Sequence, residues 1–373
     1  MTLQESKINI EGPYDPINPD DETSSAEKRD IGEPGVNLYN CQEARADNKA
    51  QVNASFVPGE DSDEAILGGF LGREEFQFKG TATGNRMAGG DTGVGFSGRN
   101  RLPADPFAAV KSYALRLESL ILYNQGWGYK LTDEQRSRTI DPSGTDRGGF
   151  VVEKVTWERS SGQKYGLEYT VEGSRAKGTS VGEPSESKRA DYISRQKDNW
   201  LTGSDGISGS IPFYIPFGEE KEDPNQVYGW TLVDPDVPNS AFTLGSVDKM
   251  RVERSVDTNI KEIALGDPGD NIAIPTSSPK LSLFIEGSLT PKDTIHRTSV
   301  SNYSQARDRL NDFARFIPNN WVGTNKDIVV REGFTDRQIK GQFKNYSTTW
   351  ESGQDLQLNY TIELIQGEGI GNS

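Results

Sequence analysis

The sequence predicts a mainly β protein with one helix per module, an α+β fold of two tandem β-sandwich or barrel copies, each flanked by an α-helix. Three observations predict it. A segment in the middle of the chain recurs near its end, each copy carries apolar alternation of period 2, and each copy carries one stripe of helical spacing.

The repeat reads Thr156-Trp157-Glu158, Ser161-Gly162-Gln163 and Leu167-Glu168-Tyr169-Thr170-Val171-Glu172 in the first copy. In the second, Thr349-Trp350-Glu351 runs into Ser352-Gly353-Gln354, then Leu358-Asn359-Tyr360-Thr361-Ile362-Glu363. The offset is 193 residues at the Trp (350 − 157) and 191 at the Tyr (360 − 169), a two-residue difference. Two anchors extend the match backwards: Ile31–Leu38 with Leu265–Ile272, and Thr145-Asp146-Arg147 with Thr335-Asp336-Arg337. The repeated Trp and Tyr are expected to pack in the core on a sheet face. The Ser-Gly between them has the composition of a hairpin turn.

The elements follow in order. In the first copy Glu75–Ala82 alternates, with Phe76 and Phe78 on one face, as a half-buried strand does. Asp105 is the expected N-cap of a helix with Pro106 at its first position, and Val110, Tyr113, Ala114, Leu117, Leu120 and Ile121 form its stripe. In the second copy Leu281, Leu283 and Ile285 alternate, and a helix from about Ser304 to Phe316 carries Ala306, Leu310, Phe313 and Phe316 on one stripe. About three further strands follow each helix, the last two bearing the repeated Trp and Tyr. The chain therefore divides into an extended N-terminal arm (1–25), a first module (26–175), an insertion or linker (176–240) and a second module (241–373).

The arm is polar and punctuated by proline, a composition that orders itself only against a partner, here another subunit. The insertion carries Ile211-Pro212-Phe213-Tyr214-Ile215-Pro216-Phe217, an aromatic patch whose prolines argue against a central strand. Gly and Pro together number 59 of 373 residues, which favours turns over long helices. No apolar run reaches the ~20 residues of a membrane helix. The opening Met1–Lys7 lacks a signal-peptide hydrophobic region, so no membrane association is expected. The net charge of −15 repels phosphates, against sequence-specific nucleic-acid binding. The same surplus of carboxylates suits a high-salt, halophilic archaeal host and equally an ordinary acidic soluble protein.

Chemical motifs are few. Gly93-Val94-Gly95-Phe96-Ser97-Gly98 matches a dinucleotide fingerprint in letters, but no strand precedes it and no helix follows, so it reads as a loop. His296 is the only histidine and Cys41 the only cysteine, which excludes an intrachain disulfide and a two-histidine zinc site; both read as inert. Asp234 with Asp236, and Asp267 with Asp270, sit in short acidic turns without the ligand spacing of a calcium loop. No carboxylate pair stands out for glycoside hydrolysis. Of the sequons at Asn53, Asn302, Asn345 and Asn359, the last falls inside the final predicted strand. No catalytic, cofactor or metal-binding residue is therefore assigned.

The order of elements in the second copy, a strand ending Gly287-Ser288-Leu289-Thr290-Pro291, a helix, a hairpin and the closing Leu358–Leu364, resembles the tail-tube fold of tailed viruses. That family includes tube, distal-tail and baseplate-hub proteins. The resemblance covers 265–367 and, less closely, 30–175. It implies a non-catalytic virion protein in a tail or baseplate, in a homo-oligomeric ring around the DNA channel. The ring would be a trimer with pseudo-six-fold symmetry or a hexamer, contacting neighbouring tail or baseplate proteins, with DNA only passing through. The alternative is a secreted or surface two-domain β adhesin or carbohydrate-binding protein. It differs in exposing Trp157 and Trp350 as stacking platforms.

Overall fold

A computed structural model describes residues 8–14, 36–56, 64–88, 102, 104–122, 128–142, 148–163, 165–178, 230–234, 237–262, 270–276, 280–291, 302–332, 334, 337–350 and 357–366. The first strands are β1 (Ile8–Tyr14), β2 (Val36–Asn37), β3 (Cys41–Phe56) and β4 (Glu64–Thr83). Two helices follow, the single turn α1 (Gly84–Met87) and α2 (Pro106–Leu122). Next come β5 (Gly128–Asp133), β6 (Arg138–Ile140), β7 (Gly149–Ser160) and β8 (Gly166–Gly178). The remainder begins with β9 (Thr231–Asp234), β10 (Val237–Thr243), β11 (Ser246–Ser255), β12 (Thr258–Lys261), β13 (Ile272–Pro275) and β14 (Lys280–Leu289). It closes with α3 (Tyr303–Asn320), β15 (Ile328–Glu332), β16 (Arg337–Trp350) and β17 (Leu358–Gln366). The fold is mainly β, as expected.

The chain forms two compact units that interleave in sequence. Unit 1 comprises Met1–Thr156, Glu168–Ser185 and Arg254–Pro279; unit 2 comprises Trp157–Leu167, Glu186–Glu253 and Lys280–Ser373. The boundaries cut β7 after Thr156 and β11 after Glu253, whereas the modules read from the sequence were contiguous stretches.

One series of ladders starts in β1, antiparallel to β2 (Ile10↔Val36) and to β5 (Ile10↔Leu131). β5 pairs β6 and meets β7 at Tyr129↔Phe150. β7 pairs β8, β8 pairs β4, and β4 runs against β3 from Cys41↔Gly80 to Phe56↔Glu64. Phe76 and Phe78 face inward, as their spacing predicts, and meet Phe150 edge to face at 5.8 and 5.9 Å. β13 adds in parallel to β8 at Ile272↔Lys177 and carries β12 antiparallel.

In α2 the cap forms as expected: Ala108 N donates to Asp105 Oδ1 at 2.8 Å. All six stripe residues are buried. So is Glu118, whose ionic partner Arg254, 136 positions away, was not legible in the helix pattern.

A second series begins in β9, antiparallel to β10 (Leu232↔Phe242) and to β15 (Leu232↔Val330). β15 pairs β16, β16 pairs β17, β17 pairs β14, and β14 pairs β11. Phe313 of α3 packs on Tyr360 at 5.4 Å and on Phe242 at 6.0 Å. Asn302, one of the sequons, caps α3 by accepting from Gln305 N at 3.0 Å. Two expectations for this helix change. It continues through Pro318 to Asn320, and Ile317 is buried where Phe316 was predicted, Phe316 being 37% exposed. Buried spacings of 4, 3 and 4 (306, 310, 313, 317) follow the helical turn, and position 316 falls one residue off that line.

Several strands lie where the sequence reading placed none, β2, β3 and β10 to β13 among them, together with two outside the predicted modules. β1 sits in the predicted arm, with Ile8 and Ile10 buried, and β9 sits in the predicted linker, with Leu232 and Val233 buried. Each is too short to show alternation inside a polar surround. The described ends of the two anchors ladder differently: Val36–Asn37 pairs with β1, whereas Ile272–Pro275 pairs with β12 and β8.

Candidate functional site

The strongest structural constellation occurs twice. Tyr169 of β8 donates its hydroxyl to Tyr39 O at 2.7 Å, and its ring end lies against Gly80 of β4. Tyr360 of β17 donates to Leu244 O at 2.6 Å, and its ring end lies against Gly287 of β14. The accepting carbonyl in each case precedes a residue of positive φ, Asn40 (47°) or Gly245 (58°), which turns the chain into β3 or β11. A helix residue covers each ring: Tyr113 at 6.0 Å in the first, Phe313 at 5.4 Å in the second. Burial raises the hydroxyl pKa of Tyr113 and of Tyr169, so both stay protonated donors. These tyrosines are core packing, as expected, and they hold a turn.

The repeated tryptophans part company. Trp157 is buried within unit 2, its ring 5.6 Å from Phe334, with the Arg159 guanidinium 4.6 Å above that same phenyl. Beside it Glu158 pairs Lys249 at 2.8 Å, and Ser161 N donates to Asp248 O of β11 at 2.8 Å. Trp350 is 45% exposed, against the expectation of core packing for both. The two strands also differ in what flanks them. β7 pairs β11 beyond its short contact with β5, and within unit 1 that ladder includes Val256 N to Glu153 O at 3.0 Å. β16 ladders to β15 over 337–341 and to β17 over 341–350, and among the described residues no third strand ladders to 342–350.

Unit 1 holds an open polar cleft of about 270 Å³ lined by Arg45, Asp47, Arg73, Glu75, Glu153 and Glu172, among others. Arg73 Nη2 donates to Glu153 at 2.8 Å and to Ser174 Oγ at 3.0 Å, while its Nε lies 3.2 Å from Glu75. Gln77 Nε2 donates to Glu172 at 2.5 Å. Desolvation raises the Glu153 carboxyl pKa, and Arg73 opposes that shift. Each of these three carboxylates is thus engaged by a cation or an amide. This is the arrangement of a structural network; a glycosidase pair needs one acid and one free base.

The other chemical candidates resolve simply. Asp234 is buried and pairs Lys326 at 2.5 Å, and Asp270 pairs Lys177 at 2.8 Å, so both act in ion pairs. No group of three metal-ligating side chains occurs among the described residues. Cys41 donates to Glu43 O, and burial pushes its thiol up to about 11, which keeps it unreactive. Asn345 is exposed, and Asn359 accepts from Gln357 at 3.1 Å. Asp236, Asp267, His296, the glycines at 93–98 and the aromatic patch at 211–217 lie outside the described residues, as does the second Ser352-Gly353. The first Ser161-Gly162 is a turn, as predicted.

No protein-family model matches the chain, and no curated protein matches it. Among solved structures it is similar to a chain from the tail of an empty GTA particle, computed with helical refinement in C6 symmetry. That likeness has a TM-score of 0.23 and 11% identity over 37% of this chain and 89% of the other. It is also similar to a chain from the virion of a native gene transfer agent particle, at a TM-score of 0.24 and 11% identity over 37% and 90%. Likenesses of this size assign no role.

Proposed function

We propose that this protein is a non-catalytic structural component of a viral tail or baseplate, its two modules forming part of a ring around the DNA channel. One observation carries the reading. The ladder series β2-β1-β5-β7-β8-β4-β3 and β10-β9-β15-β16-β17-β14-β11 have the same order, with one helix at the same place in each and the same tyrosine–carbonyl contact. This supports an internal duplication, although the two sequence copies share only short motifs. Two like modules per chain suit a trimer whose six modules surround an axis, or a hexamer with one module facing the axis. A net charge of −15 favours a lumen along which a phosphate backbone slides without being gripped.

Mass measurement and negative-stain imaging of the purified full chain test the proposal. Rings of three or six subunits are expected, and a monomer at all concentrations would overturn it. A second reading, the carbohydrate-binding adhesin, is favoured by the exposure of Trp350. It predicts glycan binding by the monomer, lost on Trp350→Ala.

A further inference from the structure

Unit 1 is completed by a stretch that returns to it late in the chain, Arg254–Pro279, and within that stretch β12 and β13 are well bonded to each other. They pair over four positions, from Thr258↔Pro275 to Lys261↔Ile272. Thr276 closes their base, donating its N–H at 2.8 Å and its hydroxyl at 3.0 Å to Asp257 O. Their ties to the rest of unit 1 are slighter. β13 meets β8 in a parallel ladder of two positions, Ile272↔Lys177 and Ala273↔Gly178. Lys177 adds a backbone bond to Asn271 O at 2.6 Å and an ion pair to Asp270 at 2.8 Å, and the Asn271 side chain donates to Gly72 O of β4. The apolar contact is a small cluster of Ala273 with Val151 and Ala176, with Ile260 packed beside it. Thr258 Oγ1 is buried without a hydrogen-bond partner, which works against the docked state. Among the described residues β12 ladders to β13 alone, and its Asn259 and Lys261 are exposed.

We propose that β12 and β13 form a strap on unit 1 that opens and recloses as one body while β4, β7 and β8 stay laddered. The chain is fixed just before the strap, where Val256 N donates to Glu153 O at 3.0 Å and Arg254 pairs Glu118 at 2.9 Å. Opening breaks a two-position ladder and a few polar ties, for which water substitutes, and it uncovers little beyond Val151, Ala176 and Ala273. Segments with few buried apolar contacts lie at the low end of local stability. The open form frees the last residues of β8 and the small apolar cluster, so the strap sets when that end of unit 1 is accessible. The inference is independent of the proposed function and holds equally for a tail component or an adhesin.

Native-state hydrogen exchange of the full chain, read by mass spectrometry across low urea concentrations, tests it. An undocked two-stranded pair is marginal in water, so its amides exchange once the strap opens. Amides of β12 and β13, with those of Thr276 and Lys177, should exchange together, with protection about a hundredfold or more below that of β4. Their urea dependence should also be weaker, because less surface is exposed. Asn271→Ala leaves Gly72 O unsatisfied in the closed form and should lower the strap's protection about tenfold, whereas Thr258→Val removes the orphaned hydroxyl and should raise it about tenfold. Tyr169→Phe separates local opening from global unfolding. Its bond to Tyr39 O persists when the strap opens, so β4 should lose about tenfold in protection and the strap nothing. Strap amides that fall with β4 in Tyr169→Phe, or that share its protection and urea dependence in the wild type, would overturn the proposal. So would a Thr258→Val variant whose strap protection is unchanged.

Discussion

Truncating the two repeated tryptophans to alanine gives a direct measure of how differently the copies are covered. Both residues belong to unit 2, so one unfolding transition reports both. Trp157 is fully buried, and its removal leaves a closed cavity against Phe334; such changes cost about 3–5 kcal/mol. Trp350 is 45% exposed, so roughly half of the ~1.5–3 kcal/mol transfer term is at stake, and the open side leaves no cavity. The expected loss there is about 1 kcal/mol. Urea unfolding by circular dichroism at concentrations that keep the protein monomeric reads the gap. With a slope of ~2–3 kcal/mol per molar, the midpoint should fall by more than about 1 M for Trp157→Ala and by less than about 0.5 M for Trp350→Ala. Equal losses would refute the reasoning, because they would mean that the two environments do not differ in cover.

Other substitutions probe the supports of the fold. Glu118→Ala strands the buried Arg254 guanidinium, 2.9 Å from the lost carboxylate, and should cost about 3–5 kcal/mol in urea unfolding, whereas Glu118→Leu with Arg254→Met should restore much of it. Gly287→Ala would set a Cβ against Ser246 O and 2.7 Å from Tyr360 Cζ, and should cost about 1–3 kcal/mol whether or not Tyr360 is also changed to Phe, since the backbone oxygen cannot withdraw. The Glu153 carboxyl has a raised folded pKa, so its favourable contribution is present below the unfolded value and is lost as pH rises through the folded one. Glu153→Gln should therefore flatten the fall in stability between pH 4 and the neutral range, measured as urea midpoint against pH. Native Cys41 should react with iodoacetamide at pH 8 about a hundredfold or more slower than in urea, because its thiol sits at about 11.

The strands with clean alternation (75–82 and 281–289) and the capped helix at Asp105-Pro106 were legible because each pattern is local. So was the hairpin turn at Ser161-Gly162. β1 and β9 were missed because two or three inward residues cannot mark a strand when their partners lie far along the chain: Ile10 pairs Leu131, and Leu232 pairs Val330. The Glu118–Arg254 pair escaped for the same reason. A lone acid on an apolar helix face does not announce its cation.

The sequence by itself determined the class: mainly β, with an amphipathic helix in each half. It did so through periodicity and turn chemistry, which act over a few residues. Only the tertiary structure decided which strands complete each ladder series, that the compact units interleave, and that one repeated tryptophan is covered while the other faces solvent. Those outcomes depend on contacts between segments more than a hundred residues apart. The Thr-Trp-Glu shared by 156–158 and 349–351 does not encode them.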